Sequence, residues 1–129
     1  MTSIVLDSSA VLAMVYREPG GDKVHAAIVS TLYVVSISAV NWSEVLAKLG
    51  QKSSNMTAEQ LTAILPGVEV EPFGQAEAEQ TATLAKRCPA LSLGDRACLA
   101  LAILLDATAW TTDKIWAQMP AGAKIEMLR

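Results

Sequence analysis

Four acidic residues stand where this sequence passes from strand-like to helix-like pattern. Asp7 ends the apolar run Ile4-Val5-Leu6, and Glu44 lies within Asn41-Trp42-Ser43-Glu44-Val45-Leu46. Asp95 lies within Ser92-Leu93-Gly94-Asp95-Arg96-Ala97-Cys98-Leu99, and Asp113 closes Trp110-Thr111-Thr112-Asp113. Open α/β sheets build their sites outside the carboxyl ends of the strands, so carboxylates at such junctions can converge. Brought together they repel unless a cation neutralises them. An all-oxygen set suits a hard cation, Mg²⁺ or Mn²⁺, and these ions normally act on phosphates. Asp7 and Asp113 fit short ligands fixed at strand ends, while Glu44 and Asp95 fit ligands reaching in from helices. Metal-dependent phosphoester chemistry is the leading expectation.

Each acid alone also has a plainer reading. Glu44 and Asp95 can be first-turn caps or partners of a helix dipole, and Asp113 can be a turn residue ahead of Lys114. Asp7 is harder to explain in that way, because it follows a strand buried on both faces and precedes two serines. Four such residues at successive sheet edges favour a site over coincidence.

The elements that must position them follow from pattern. Residues 3–7 read as a buried strand, and Ser8 or Ser9 can cap a helix running through Tyr16. Pro19-Gly20-Gly21 breaks it. A second helix covers 23–31, a strand 32–37, and a third helix starts at Ser38 or Asn41 with Val40, Glu44, Ala47 and Lys48 near one side. Residues 51–55 read as a polar linker. Thr57 and Gln60 form a capping-box pattern before a helix that Pro66-Gly67 ends. A short strand at 68–72, a helix at 75–87, the most apolar helix at 95–105, a strand at 108–111 and a final strand at 124–128 complete the chain. The order β-α-α-β-α-α-β-α-α-β-(α)-β predicts a three-layer α/β/α sandwich with a mainly parallel central sheet, in one domain spanning 1–129.

Composition narrows the function further. The chain is 52% apolar with a mean hydropathy of +0.35, as expected where a parallel sheet is buried on both faces or where a partner covers an apolar surface. Its longest unbroken apolar run, Ala97 to Leu105, is nine residues, against the roughly 20 that span a bilayer. No membrane helix is expected, and with no signal-peptide pattern the expected location is the cytoplasm. Cys88 and Cys98 lack metal-ligand spacing and read as buried reduced thiols. The net charge of −3 comes from ten basic and thirteen acidic side chains. With the four candidate ligands set aside the rest nearly balance, so charge does not decide for or against nucleic acid. The single histidine, His25, excludes two-histidine RNA cleavage and HExxH metalloprotease chemistry, and without GxSxG a serine triad has no support. His25 reads as a surface or interface residue.

The residues Ile4-Val5-Leu6-Asp7-Ser8-Ser9-Ala10, Ser43-Glu44, Leu91 to Ala102 around Gly94-Asp95-Arg96, and Thr111-Thr112-Asp113 resemble the PIN-domain ribonucleases. The likeness is closest to the VapC toxins of type II toxin–antitoxin pairs and covers almost the whole chain. It implies that Asp7, Glu44, Asp95 and Asp113 hold Mg²⁺ or Mn²⁺, and that Ser8 and Thr111 carry hydroxyls supporting the carboxylates or a coordinated water. Arg96 has three open readings: contact with RNA phosphate, contact with a partner, or cover for a carboxylate. The resemblance further implies an RNA substrate such as tRNA or rRNA, a homodimer and a cognate antitoxin lying across the acidic site. Met14, Val15, Trp42 and Leu46 are candidates for contact surface, with core packing the expected fate of most. Lys48, Lys52, Arg17 and Arg96 are candidate RNA contacts by nearness to the motifs. Two alternatives compete: a non-catalytic module that docks on RNA or an antitoxin, and an aspartate phosphotransfer domain. The second lacks the Asp-x-Asp or acidic pair it would need.

Overall fold

The computed structural model describes residues 1–51, 56–119 and 121–129. Its strands are β1 (Thr2–Leu6), β2 (Tyr33–Ser38), β3 (Glu69–Glu71), β4 (Thr108–Thr111) and β5 (Lys124–Met127), joined by α1 (Ser8–Val15), α2 (Gly21–Val29), α3 (Ala39–Gln51), α4 (Ala58–Ile64), α5 (Gln75–Arg87) and α6 (Leu93–Leu104). A 3₁₀ turn (Lys114–Gln118) precedes β5. The element order is the one the sequence pattern predicts. The strands form one sheet in the order β3-β2-β1-β4-β5, and every neighbouring pair is parallel. Leu6 is level with Ile37 on one side and Trp110 on the other. The carboxyl ends of the three central strands therefore share one edge.

Alternation along β1 explains the three layers. Ile4 and Leu6 face a core built with α1, α2, α3 and α4, whereas Val5 faces a second core built with α5, α6 and the 3₁₀ turn. Both faces are covered, as a parallel sheet requires. Ile4, Leu6 and Ile37 are almost completely enclosed, and each such side chain contributes about 1.5–3 kcal/mol by its burial. Met14, Val15, Trp42 and Leu46 are half-buried and pack against the first core, so core packing is where they lie. Cys88 and Cys98 are buried free thiols. No helix among the described residues is long and apolar enough to cross a membrane.

Three local differences from the sequence reading have physical causes. The cap of α1 is Asp7 and not Ser8 or Ser9, because the Asp7 carboxylate accepts from the Ala10 amide. The α2 helix begins at Gly21, where a side chain would meet the Ala13 carbonyl oxygen at 2.4 Å. Glycine there lets α2 press against α1. The buried row of α3 is Asn41, Val45 and Leu49, one position along from the row of Val40, Glu44, Ala47 and Lys48; Ala47 and Lys48 are exposed. That single step places an amide among the core residues of α3. Residues 52–55 of the expected linker, Lys52 included, lie outside the described residues.

Candidate metal centre

Asp7 holds the most constrained seat. It follows β1 directly and is 3% exposed. Ala10 N donates to its Oδ1 at 2.8 Å, and Ser9 Oγ lies 2.7 and 2.9 Å from the two carboxylate oxygens. Thr111 Oγ1 donates to Oδ2 at 2.6 Å. The same Thr111 oxygen accepts from the Asp113 amide at 3.0 Å, and Ser9 Oγ accepts from the Thr112 amide at 3.0 Å. Two hydroxyls thus stitch the tip of β4 to the tip of β1. Ser9 supplies the second hydroxyl; Ser8 is half-buried and makes no hydrogen bond to the carboxylate among the described residues. A helix that starts at Ser8 turns successive side chains by about 100°, so the two serines cannot share one direction.

Glu44 reaches the same edge from α3. Asn41, one turn earlier on that helix, donates from Nδ2 to Glu44 Oε1 at 2.8 Å and to the Gly94 carbonyl oxygen at 3.0 Å. Gly94 lies in the first turn of α6, and a Cβ there would fall 2.3 Å from Glu44 Oε2. The glycine of the Gly94-Asp95-Arg96 segment is therefore space for the Glu44 carboxylate. Asp95 follows it and closes a capping box with Ser92, accepting from the Ser92 amide at 3.2 Å. Asp113 is exposed at the tip of β4 and caps the 3₁₀ turn through Ile115 N at 3.1 Å.

Electrostatics link the four. Burial pushes the Asp7 carboxyl up from its ordinary 3.8 to about 6; the Thr111, Ser9 and Ala10 hydrogen bonds oppose this and the Asp95 charge adds to it. Burial also raises Asp95, with Ser92 opposing and the Asp113 and Glu44 charges adding. Cys98, one turn into α6, is pushed well up by burial and then by the charges of Asp7, Asp95 and Glu44. Each of the four carboxylates thus acts on Asp7, Asp95 or the neighbouring Cys98. None of the ion pairs found among the described residues neutralises them.

Carboxylates that repel one another with no cationic side chain against them suit a hard cation, and the donor set fits Mg²⁺ or Mn²⁺. As placed, no three His, Cys, Asp or Glu side chains among the described residues stand close enough to hold an ion by themselves. Mg²⁺ usually keeps several waters and takes only one or two protein carboxylates directly.

The raised Asp7 value makes a stability prediction. An acid whose folded pKa exceeds its unfolded one stabilises the fold fully below the unfolded value, and this is lost as pH rises through the folded value. From 3.8 to about 6 the full loss is about 3 kcal/mol, roughly half of it between pH 5 and pH 7.5. In chelator the protein should melt about 5 °C higher at pH 5 than at pH 7.5, with Asp95 acting in the same direction. Millimolar Mg²⁺ should narrow the gap by raising the pH 7.5 value. Thermal melts at the two pH values check this, and equal melting temperatures in chelator would contradict the seat assigned to Asp7.

Of the basic candidates, Arg17 and Lys48 are exposed. Arg96 is half-buried, forms no ion pair with the four acids among the described residues and leaves Nε buried without a partner. His25 is exposed and lines two cavities of about 410 and 430 Å³ beside Met14 and Arg17, and none of the four acids lines either one. Ser9 and Asn41 are the site residues that the sequence reading missed. The signal for Asn41 was its three-residue spacing from Glu44, and for Ser9 its place in the first turn after a capping aspartate.

Comparison with known proteins agrees with this fold. The structure is similar to a chain of a toxin–antitoxin complex from Klebsiella pneumoniae, with a TM-score of 0.76 at 18% identity over 98% of both chains. It is similar to a chain of VapBC2 from Rickettsia felis bound to a promoter DNA fragment, at 0.75 and 14% over 98% of both. It is also similar to the sarcin–ricin loop cleaving toxin VapC20 from Mycobacterium tuberculosis, at 0.70 and 17% over 89% of this chain and 93% of that one. No curated protein sequence matches. The family model described as PIN domain matches residues 4–122, which takes in all four acids, and the chain belongs to the PIN domain family.

Proposed function

We propose that this protein is the toxin of a toxin–antitoxin pair and a ribonuclease that hydrolyses phosphodiester bonds in structured RNA, tRNA or rRNA, with Mg²⁺ or Mn²⁺ held by Asp7, Glu44, Asp95 and Asp113. The observation that carries the reading is the braced but uncompensated set of carboxylates at the carboxyl edge of the sheet. The family and the toxins among similar structures support it. A divalent cation in such a set lowers the pKa of water and stabilises charge building on the scissile phosphate. The chain's own residues supply orientation. Ser9, Thr111 and the Ala10 amide hold Asp7, and Asn41 with the Gly94 cleft holds Glu44. Cleavage by hydrolysis leaves a 5′-phosphate and a 3′-hydroxyl.

The partners that go with this reading are an RNA substrate, an antitoxin that silences the acidic site, and a second copy in a homodimer, acting in the cytoplasm. Arg96, Lys48 and Arg17 are the basic side chains proposed to meet RNA phosphate. A non-catalytic docking module is the second reading. It is favoured by the separation of the carboxylates as placed.

One experiment separates the two. Purified antitoxin-free protein is incubated with total RNA in Mg²⁺ or Mn²⁺ and in EDTA. Discrete cuts with 5′-phosphate ends in either metal, absent in EDTA, are expected. Folded protein that leaves RNA intact with both ions would move the assignment to the docking module.

A further inference from the structure

We propose that Asn41 is a positioning residue, one that fixes the Glu44 carboxylate for cation binding. The proposal rests on the cation-dependent reading of the site. Asn41 is 1% exposed and sits in the buried row of α3 with Val45 and Leu49. Its two polar contacts, Glu44 Oε1 at 2.8 Å and the Gly94 carbonyl at 3.0 Å, are both acceptors. The amide orientation follows, since only the nitrogen can donate. Both hydrogens of Nδ2 are spent on the site, and Oδ1 is left buried with no hydrogen-bond partner among the described residues.

That last point distinguishes a positioning role from a packing role. A buried acceptor without a partner destabilises the fold, and asparagine is a weaker helix former than leucine. An apolar side chain would serve the row of Val45 and Leu49 better. What the amide supplies, and leucine cannot, is a rigid two-pronged donor. One prong turns the Glu44 carboxylate toward α6, and the other fixes α6 at the residue just before Asp95. The clearance at Gly94 allows this seat and Asn41 selects it, because Cβ-free space alone leaves the glutamate rotamers open. Asn41 reaches across 53 residues of sequence to Gly94, so the brace sets the spacing between a ligand from α3 and a ligand from α6. Partners that orient metal ligands typically change metal affinity by about 10–100-fold when removed.

The test uses the full chain and Mn²⁺ as the probe. Mn²⁺ affinity is measured by titration calorimetry, beside melting temperature in chelator, for wild type, Asn41→Leu, Glu44→Gln and the double variant. Asn41→Leu should weaken Mn²⁺ binding about tenfold without lowering the melting temperature. Added to Glu44→Gln it should change affinity no further, because the two act through one carboxylate. If Asn41→Leu does not fold, Asn41→Ala, which only removes atoms, takes its place in both comparisons. A folded variant that binds Mn²⁺ within twofold of wild type, or effects that add in the double variant, would overturn the role of Asn41 alone. Wild-type protein that binds no Mn²⁺ at millimolar concentration would overturn the cation reading itself, and Asn41's role with it.

Discussion

Asp7→Asn should abolish RNA cleavage while leaving a protein that is at least as stable as wild type. The loss follows from the seat. Asp7 is the most buried of the four acids and is held from three directions by Ala10 N, Ser9 and Thr111. An asparagine keeps the shape and the cap but removes the charge that a cation needs, and a fall of about three orders of magnitude or more is expected. Stability moves the other way. Burial disfavours the Asp7 carboxylate enough to raise its pKa to about 6, and a neutral amide escapes that penalty. At pH 7.5 in chelator the variant should therefore melt no lower than wild type, and its advantage should shrink toward pH 5. Assays of RNA cleavage and thermal melts at both pH values read the two halves separately. A variant that cuts as fast as wild type would sink the mechanism. One that is inactive because it is unfolded would contradict the electrostatic part.

Gly94→Ala should cost activity heavily and stability hardly at all. A methyl at this position lands 2.3 Å from Glu44 Oε2 and 2.6 Å from its Cδ, the end of a flexible side chain. The glutamate can swing away, so the fold need not give. The swing breaks the 2.8 Å bond from Asn41 and takes the carboxylate out of the cluster. Meanwhile alanine gains up to about 1 kcal/mol over glycine inside a helix. The expected result is an unchanged or slightly higher melting temperature with cleavage down by about one to two orders of magnitude. Gly50→Ala is the matched control, since nothing among the described residues lies within 4 Å of its added Cβ. It should gain stability and keep full activity. A Gly94→Ala protein that cuts RNA at the wild-type rate would show that the Glu44 seat does not matter.

These residues also mark how far the sequence could be read. The order of elements and the three layers were legible because apolar period and breakers are local signals: Pro19-Gly20-Gly21, Pro66-Gly67 and the Thr57–Gln60 box each act within a few residues. Asp7, Glu44 and Asp113 were legible because each falls at or soon after the carboxyl end of a strand; Asp95 opens α6 after the helix α5, with no strand between, and was legible from the Gly94-Asp95-Arg96 segment. What was not legible depends on rotation or on distant partners. Whether Ser8 or Ser9 meets Asp7 turns on one helical step, and the cap at Asp7 sets that step. The same kind of step moved the buried row of α3 onto Asn41. Gly94 was visible as part of a motif, but its reason lies fifty positions away in Glu44, and only the packing of α3 on α6 supplies it.

The stitching of β4 to β1 has a consequence for when, as the chain is made, the acidic site is complete. Strand β1 gains its neighbour β2 early, but its other neighbour is β4, more than a hundred residues downstream. The Thr111 hydroxyl on Asp7, the Thr112 amide on Ser9 and Asp113 itself all arrive with that late strand. A chain halted before residue 108 can pair β1, β2 and β3, yet it lacks the half of the seat that orients Asp7. Because closure over so long a span is slow compared with local pairing, the acidic site is completed only near the end of synthesis. Interrupted translation is therefore expected to yield fragments without a complete Asp7 seat.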